Sequence, residues 1–342
     1  MRRYPAEWEP QSGVQITWPH EHSDWQPWLT EVEPVFVEIA RQVCRFQKLV
    51  VVCYDERHRK HVYHLLSNAD IDTTRVSLYI IKSNDTWARD HGPVSVLEND
   101  QPLLLDFIFN GWGQKFEAGL DNNISHELAS GNAFHQTSLQ SIEMVVEGGG
   151  LETDGHGSLL TTTTCQLSPY RNPQLDREQV EAAFHIHLGI ERVLWLEHGH
   201  LEGDDTDSHI DTLARFADES TIVYVACDDS KDSHYHELKA MEAELQAFRR
   251  RNNEPYKLVA LPWPRAIYNN EGERLPASYA NYLIINRAVL VPLYNDPADK
   301  KALEILKACH PDREIIGINC RPLIYQFGSL HCVTMNYYAG IL

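Results

Sequence analysis

Ser208-His209-Ile210-Asp211-Thr212-Leu213-Ala214-Arg215-Phe216 packs more chemistry into fewer residues than any other stretch of the chain. His209, Asp211 and Leu213 stand at i, i+2 and i+4. The spacing predicts a strand that carries an imidazole and a carboxylate on one face, at its mouth. Upstream, Glu202-Gly203-Asp204-Asp205-Thr206-Asp207 reads as a turn with four carboxylates. Downstream, Ala217-Asp218-Glu219-Ser220 turns into the apolar run Thr221 to Cys227. A proton shuttle beside carboxylates suits a cationic substrate. The plain alternative is a strand end with solvated charges, and the rest of the chain has to decide between them.

The same plan recurs along the sequence. Val14 to Pro19 alternates like a strand, Trp28 to Phe46 has a helical period, and Leu49 to Tyr54 is a buried-type strand. Glu56 to Asn68 reads as a helix and Val76 to Lys82 as a strand, an α/β opening. A polar turn, Asn84 to Pro93, leads into a hairpin of Val94 to Leu97 against Leu103 to Phe109, ended by the loop Asn110-Gly111-Trp112-Gly113. Downstream units begin at Glu147-Gly148-Gly149-Gly150, at His209, at Ser278 to Asn286 and at Gly328 to Met335. Between them lie helices at 177–188, 234–251 and 297–309, and strands at 158–165, 192–196, 256–261 and 313–318.

Each unit is a turn, a hairpin, a helix and another strand. The equivalent points Asp90, Glu147, His209, Asn281 and Cys332 fall roughly 50 to 70 residues apart. Such units can close on themselves, with the strand near Trp18 completing the last one, and closure removes exposed sheet edges. The turns would then meet at one end of a central channel. The expectation is one domain, 1–342, with no linker dividing it.

Thirty basic against 49 acidic side chains leave a net charge of -19. That argues against a nucleic-acid partner and, if focused in a cleft, favours small cations. The start Met1-Arg2-Arg3-Tyr4-Pro5 has no apolar run after its arginines, and no stretch approaches the roughly 20 apolar residues of a membrane span. Seven cysteines without a Cys-x-x-Cys pair predict neither a disulfide framework nor a structural zinc site. The expectation is a reduced, cytoplasmic protein in which Cys44, Cys53, Cys165 and Cys227 are small core residues.

If Asp90, Glu147, His209, Asp211 and Cys332 converge, they make a cysteine-nucleophile site suited to a guanidinium. That carbon is delocalised over three nitrogens and is a poor electrophile. Two carboxylates, Asp90 and Asp211, can each take paired N–H groups, at about 1.5–3 kcal/mol per charge-assisted bond. Only about 3% of an ordinary thiol is ionised at pH 7, so a bound cation helps to form the thiolate of Cys332. His209 can protonate departing ammonia and then activate water, a role worth roughly 10²–10⁴-fold. Glu147 would orient and polarise it.

The segments Asn84 to Pro93, Glu147-Gly148-Gly149, His209 to Phe216 and Leu330-His331-Cys332-Val333-Thr334 closely resemble agmatine deiminases. These belong with the bacterial-type peptidylarginine deiminases in the guanidino-group-modifying (pentein) superfamily. Pro5-Ala6-Glu7-Trp8-Glu9-Pro10 and the Asn110 to Gly113 loop match as well, so the likeness spans nearly the whole chain. It implies a five-bladed pseudosymmetric α/β propeller with neither metal nor cofactor. It implies hydrolysis of agmatine to N-carbamoylputrescine and ammonia, in putrescine biosynthesis, through an amidino-thioether on Cys332. By the same likeness, Asp90 and Asp211 clamp the guanidinium, His209 is the acid/base and Glu147 its partner, and Trp87, Asp205 and Trp112 bind substrate. Trp87 as plain core packing and Asp205 as a turn cap stay open. Tyr325-Gln326-Phe327-Gly328 stands where the family often has a Gly-Gly-Gly run, and the bulk of Phe327 would reshape the mouth. Expected partners are a small cationic guanidino substrate and, at most, a second copy of the chain as a homodimer.

Two other readings stay open. A deiminase of arginine or peptidyl-arginine would need a cation for the substrate carboxylate, for which Arg89 and Arg265 are candidates. A metal-dependent hydrolase could use His198-Gly199-His200 with the acidic run 202–207, although no His-Glu-x-x-His helix is present.

Overall fold

The two ends of the chain build one sheet. In the computed structural model, which describes residues 1–342, the strand Met335–Tyr338 pairs antiparallel with Gln11–Thr17, with Met335 opposite Gln15. Gln11–Thr17 runs parallel to Lys48–Cys53, which runs parallel to Val76–Ile80. Parallel neighbours need a crossover, and the helices Leu29–Cys44 and Glu56–Asn68 supply it. Leu29–Cys44 buries Val32, Val35, Phe36, Ile39, Ala40 and Val43 on one face, the side read from the helical period. The Asp55 carboxylate caps the second helix on the His58 N–H at 2.8 Å.

Four more sheets repeat this plan of an antiparallel pair followed, across a helix, by a parallel strand. They are Val94–Glu98 with Gln101–Ile108 and Ser138–Val145, and Glu152–Thr153 with Ser158–Thr162 and Arg192–Leu196. Ala214–Asp218 with Thr221–Val225 and Lys257–Leu261 follows, then Leu283–Ile285 with Ala288–Leu293 and Glu314–Asn319. Arg177–Leu188 carries a capping box of Asp176 and Gln179 at its start and a left-handed Gly189 at its end, which sets both boundaries. Each repeat point stands just ahead of the first strand of its sheet: Asp90 before Val94, Glu147 before Glu152, His209 before Ala214, Asn281 before Leu283 and Cys332 before Met335.

The segment that predicts a strand at 208–213 folds otherwise. Ile210–Thr212 is a 3-10 turn, and the strand begins at Ala214. Asp207 and Ser208 are both left-handed, at φ 64° and 65°. The Asp204 carboxylate accepts the N–H groups of Thr206 and Ser208, and the Thr206 hydroxyl oxygen accepts that of His209. Side-chain capping of consecutive backbone donors outweighs the β-propensity of Ile210 and Thr212. Likewise the strand expected over 158–165 stops at Thr162, whose hydroxyl caps the short helix Thr163–Gln166. The hairpin loop shrinks to Asn99-Asp100, both left-handed, as a tight two-residue turn requires. The strand Ser138–Val145 and the helix Ile124–Ser130 lack a readable sequence pattern: Gln140, Ser141 and Glu143 face out between the few apolar residues of the strand.

Candidate active site

Gly149 marks the point of convergence. A Cβ there would lie 2.5 Å from His209 Nδ1, 2.8 Å from Asp90 Oδ1 and 3.3 Å from Asp211 Oδ2. Three functional side chains thus crowd a position that only glycine can fill. All three, with Glu147, are buried, and Cys332 is 6% exposed.

Asp90 sits in the short helix Ala88–His91. Its carboxylate accepts the Trp112 indole N–H at 2.9 Å and the Gly149 N–H at 2.9 Å. Burial pushes it above the ordinary carboxylate range despite the nearby His209, and Asp211 and Glu147 add to the push. His209 donates from Nε2 to Glu147 Oε2 at 3.1 Å, while Nδ1 lies 3.5 Å from Asp90 Oδ1 without hydrogen-bond geometry. Burial alone would lower this imidazole. Asp90, Cys165 and Glu147 together overcome burial and hold it well above its usual value.

Glu147 is anchored from behind. Arg171 Nε donates to both its oxygens, at 2.7 and 3.0 Å, and Arg171 Nη1 reaches Asp207 Oδ2 at 2.6 Å. Burial opposes ionisation of Glu147, but His209 and Arg171 win and hold it below its ordinary value. Cys165 Sγ lies 3.8 Å from Glu147 Oε2, so this cysteine touches the cluster and is more than core filling.

Asp211 Oδ2 accepts His331 Nδ1–H at 2.7 Å and lies 3.7 Å from Cys332 Sγ, whereas Oδ1 is buried without a partner. The bond from His331 keeps Asp211 below its usual range against the effect of burial. His331 Nε2 meets Glu7 Oε2, also at 2.7 Å, and Glu7 faces Arg215 at 3.1 Å and Arg89 at 3.5 Å. An imidazole between two carboxylates satisfies both only by donating from both nitrogens. Cys332 itself is pushed well above the ordinary thiol value by burial and by the facing Asp211 and Asp90.

The substrate-binding expectations divide. Trp112 lies against Asp90 and is held at φ 55°, a left-handed conformation that is costly for a bulky residue. Trp87 packs on Trp25, with ring centroids 5.8 Å apart, and on Gly328, where a Cβ would lie 2.2 Å from the indole. That close approach explains why Gly328 survives in the segment where Phe327 occupies a left-handed position at φ 65°. The turn cap of the acidic run is Asp204 and not Asp205. The Asp205 carboxyl is pushed up to about 7 by burial and by Asp204, and its backbone carbonyl accepts Lys115 Nζ at 2.5 Å.

The groups weighed for the other readings lie elsewhere or are already engaged. Arg89 is buried on Glu7 and on Asn336 at 2.5 Å, rather than on its own acidic neighbours, and Arg265 is exposed. His198 pairs with Glu244 at 2.6 Å on the surface, and His200 is exposed. Glu147, Cys165 and His209 do place metal-ligand atoms within 4.8 Å of one another. Arg171 already supplies a positive charge to that carboxylate, and a divalent ion would have to displace it or be repelled by it.

Sequence pattern assigns no role to Glu7, Arg171, Asn281 or His331, although Glu7 and His331 lie inside the matching segments and Asn281 stands at a repeat point. Their partners are distant in the chain, and no local pattern reports such pairings.

Residues 3–337 match the family model described as Porphyromonas-type peptidyl-arginine deiminase. An agmatine deiminase from Stutzerimonas stutzeri (strain A1501) is 30% identical, over 97% of this chain and 94% of that protein. The crystal structure of a putative arginine deiminase from Porphyromonas gingivalis is 50% identical, covers 100% of both chains and superposes with a TM-score of 0.94. A C. jejuni agmatine deiminase variant with substrate bound is 35% identical, over 100% of this chain and 98% of that one, with a TM-score of 0.92. With its full-length relatives and matching site-bearing segments, the chain belongs to the Porphyromonas-type peptidyl-arginine deiminase family.

Proposed function

We propose that this protein hydrolyses agmatine to N-carbamoylputrescine and ammonia. The observation that carries this reading is a buried thiol faced by carboxylates, with Asp211 Oδ1 and His209 Nδ1 left without partners beside it. Such a pocket favours a planar cation that donates N–H bonds and whose charge makes the thiolate accessible. The relatives named as agmatine deiminases support the choice of substrate.

Asp90 and Asp211 take the guanidinium N–H groups. As the cation binds, the Cys332 thiol gives its proton to solvent, and the thiolate attacks the central carbon, forming a C–S bond while the C=N π pair moves onto nitrogen. His209, held as imidazolium between Glu147 and Asp90, gives a proton to one nitrogen. The C–N bond breaks and ammonia leaves. Neutral His209 then takes a proton from water, whose oxygen attacks the amidino-thioether carbon. The C–S bond breaks and the hydroxyl gives its proton to solvent, leaving the neutral ureido product and the thiolate. Asp205 ionises against the amine tail, whose positive charge offsets the burial that pushes its carboxyl up. Trp112 holds Asp90 in place through its indole N–H, and Trp87 backs the pocket wall.

We read the five sheets as the blades of one closed propeller in a single domain. Support comes from the first and last strands sharing a sheet and from the turns Asp90, Glu147, His209, Asn281 and Cys332 each leading into one blade. No helix is long and apolar enough to cross a membrane, and all seven cysteines are free, which fits a reducing cytoplasm. Agmatine is favoured over arginine because no uncommitted cation faces the cluster: Arg171 is taken by Glu147 and Asp207, and Arg89 by Glu7 and Asn336.

Turnover of agmatine, free arginine and a peptide ending in arginine, with ammonia release as the readout, tests the substrate. Quenching with agmatine followed by intact-mass analysis tests the chemistry: an amidino adduct located on Cys332 is expected. Faster turnover of either arginine substrate, or an adduct on Cys165, overturns the corresponding part of the proposal.

A further inference from the structure

The loop that carries Trp112 is folded at a cost. Gly111, Trp112, Gly113 and Gln114 all have positive φ, at 69°, 55°, 82° and 67°. Two of the four are not glycine, and such a turn persists only where its surroundings over-determine it. Asn110 Oδ1 ties it internally by accepting the Gly113 N–H at 2.8 Å. Two side chains leave the loop for other parts of the molecule. Trp112 donates its indole N–H to Asp90 at 2.9 Å. Lys115 reaches the strap 204–208, where its Nζ donates to the Asp205 carbonyl at 2.5 Å and to Asp207 Oδ1 at 2.7 Å. Arg171 grips the same strap from the buried side, through the Thr206 carbonyl at 2.8 Å and Asp207 Oδ2 at 2.6 Å. The strap runs directly into His209, whose N–H it accepts on the Thr206 hydroxyl.

We infer that Lys115 is a positioning and specificity residue: it clasps the Trp112 loop to the 204–208 strap and so sets the tail acceptor Asp205 at a fixed reach from the head clamp Asp90. This deepens the proposed function and rests on its reading of Asp205 as the partner of the amine tail. A single ion pair at the surface would be worth little. Lys115 does more, because it bonds a main-chain carbonyl and a carboxylate of one strap whose inner side Arg171 already holds. It uses the carbonyl of Asp205 and leaves the carboxyl to the substrate. Its charge is met by Asp207, which limits any repulsion of an incoming amine. Without the clasp, Asp90 and Asp211 still hold the guanidinium, whereas the tail carboxylate can drift with the strap. Only a substrate that bridges both ends feels that drift.

The test compares agmatine with n-butylguanidine, which has the same head and carbon chain and no amine. Ammonia release is followed at pH 8.5, where the Asp205 carboxyl, pushed up to about 7, is ionised. The proteins are wild type, Lys115→Met and Lys115→Arg. In Lys115→Met the ratio of kcat/KM for agmatine to that for n-butylguanidine should fall about tenfold, the lower end of what one charge-assisted bond contributes. The loss should appear in KM for agmatine, with kcat changed by less than about twofold. Lys115→Arg, which keeps the charge and can reach both acceptors, should restore most of the ratio. An unchanged or higher ratio in natively folded Lys115→Met overturns the inference. So does an equal loss on both substrates, which would leave Lys115 as a loop pin. If Lys115→Met does not fold, Lys115→Gln, which keeps a donor and loses the charge, is judged by the same criteria. Amide hydrogen exchange reads the clasp without substrate: it should quicken over 110–116 and 204–208 in Lys115→Met and stay the same over the helix Arg177–Leu188. If the wild-type protein does not turn over agmatine, the proposed substrate fails, and exchange alone decides the clasp, which unchanged rates over those two segments would overturn.

Discussion

Replacing Glu147 with Gln removes one charge from beside His209 and leaves shape and hydrogen-bond capacity nearly intact. His209 Nε2 lies 3.1 Å from Glu147 Oε2, which puts the two charge centres at about 4 Å. With an effective dielectric of about 20, that interaction is worth about 4 kcal/mol, or about 3 pH units on the imidazolium. The carboxamide oxygen still accepts the Nε2–H and returns part of this, so we expect a drop of about 2 pH units. In the proposed reaction His209 must be protonated when ammonia leaves. Activity is therefore lost as the pH rises through the His209 value, and the alkaline limb of kcat/KM should move down by that amount. The assay is ammonia release from agmatine between pH 5.5 and 10 at substrate concentrations well below KM. Arg171 loses one of its two carboxylate partners in the variant and keeps Asp207, at 2.6 Å, so the fold is weakened without leaving a stranded charge. Native circular dichroism at the assay temperature is therefore a required control. An alkaline limb that stays in place in a folded Glu147→Gln protein would refute the assignment of His209 and Glu147 as a coupled acid/base pair.

Two further outcomes follow from the buried charges. Asp205 is pushed up to about 7, so between pH 4 and 7 the folded chain holds a proton that the unfolded chain has lost. Its contribution to stability then falls as the pH rises through that window. Asp205→Asn should raise the melting temperature at pH 8, and the gain should shrink towards pH 4; a gain that is constant with pH contradicts this. His331→Leu strips both Glu7 and Asp211 of their shared donor. Stability should drop by about 3–5 kcal/mol at pH 8 and by less at pH 5, as read by urea unfolding, because protonation relieves the stranded carboxylates.

The helices at 56–68 and 177–188 were legible to the residue, because caps such as Asp55 and Asp176 and the Gly189 stop are local chemistry. The repeat was legible too, because each unit restates the same run of turn, hairpin, helix and strand. The 208–213 stretch was not. Its alternation favours a strand, and only the closing of Asp204 onto Thr206 and Ser208 makes it a turn. The tight turn still delivers His209 and Asp211 to the same side of Gly149, as the strand would have done.

By itself the sequence singled out the groups that the proposed chemistry uses: a thiol, an imidazole and three carboxylates, each at the head of a repeated unit or beside one. Residue type and local spacing carry that information. The tertiary structure alone decided how those groups are charged. Arg171 on Glu147, His331 between Asp211 and Glu7, and Asn281 on the Cys332 sulfur are contacts between turns far apart in the chain. Each works through burial and a few ångströms of separation, quantities that exist only once the chain has folded.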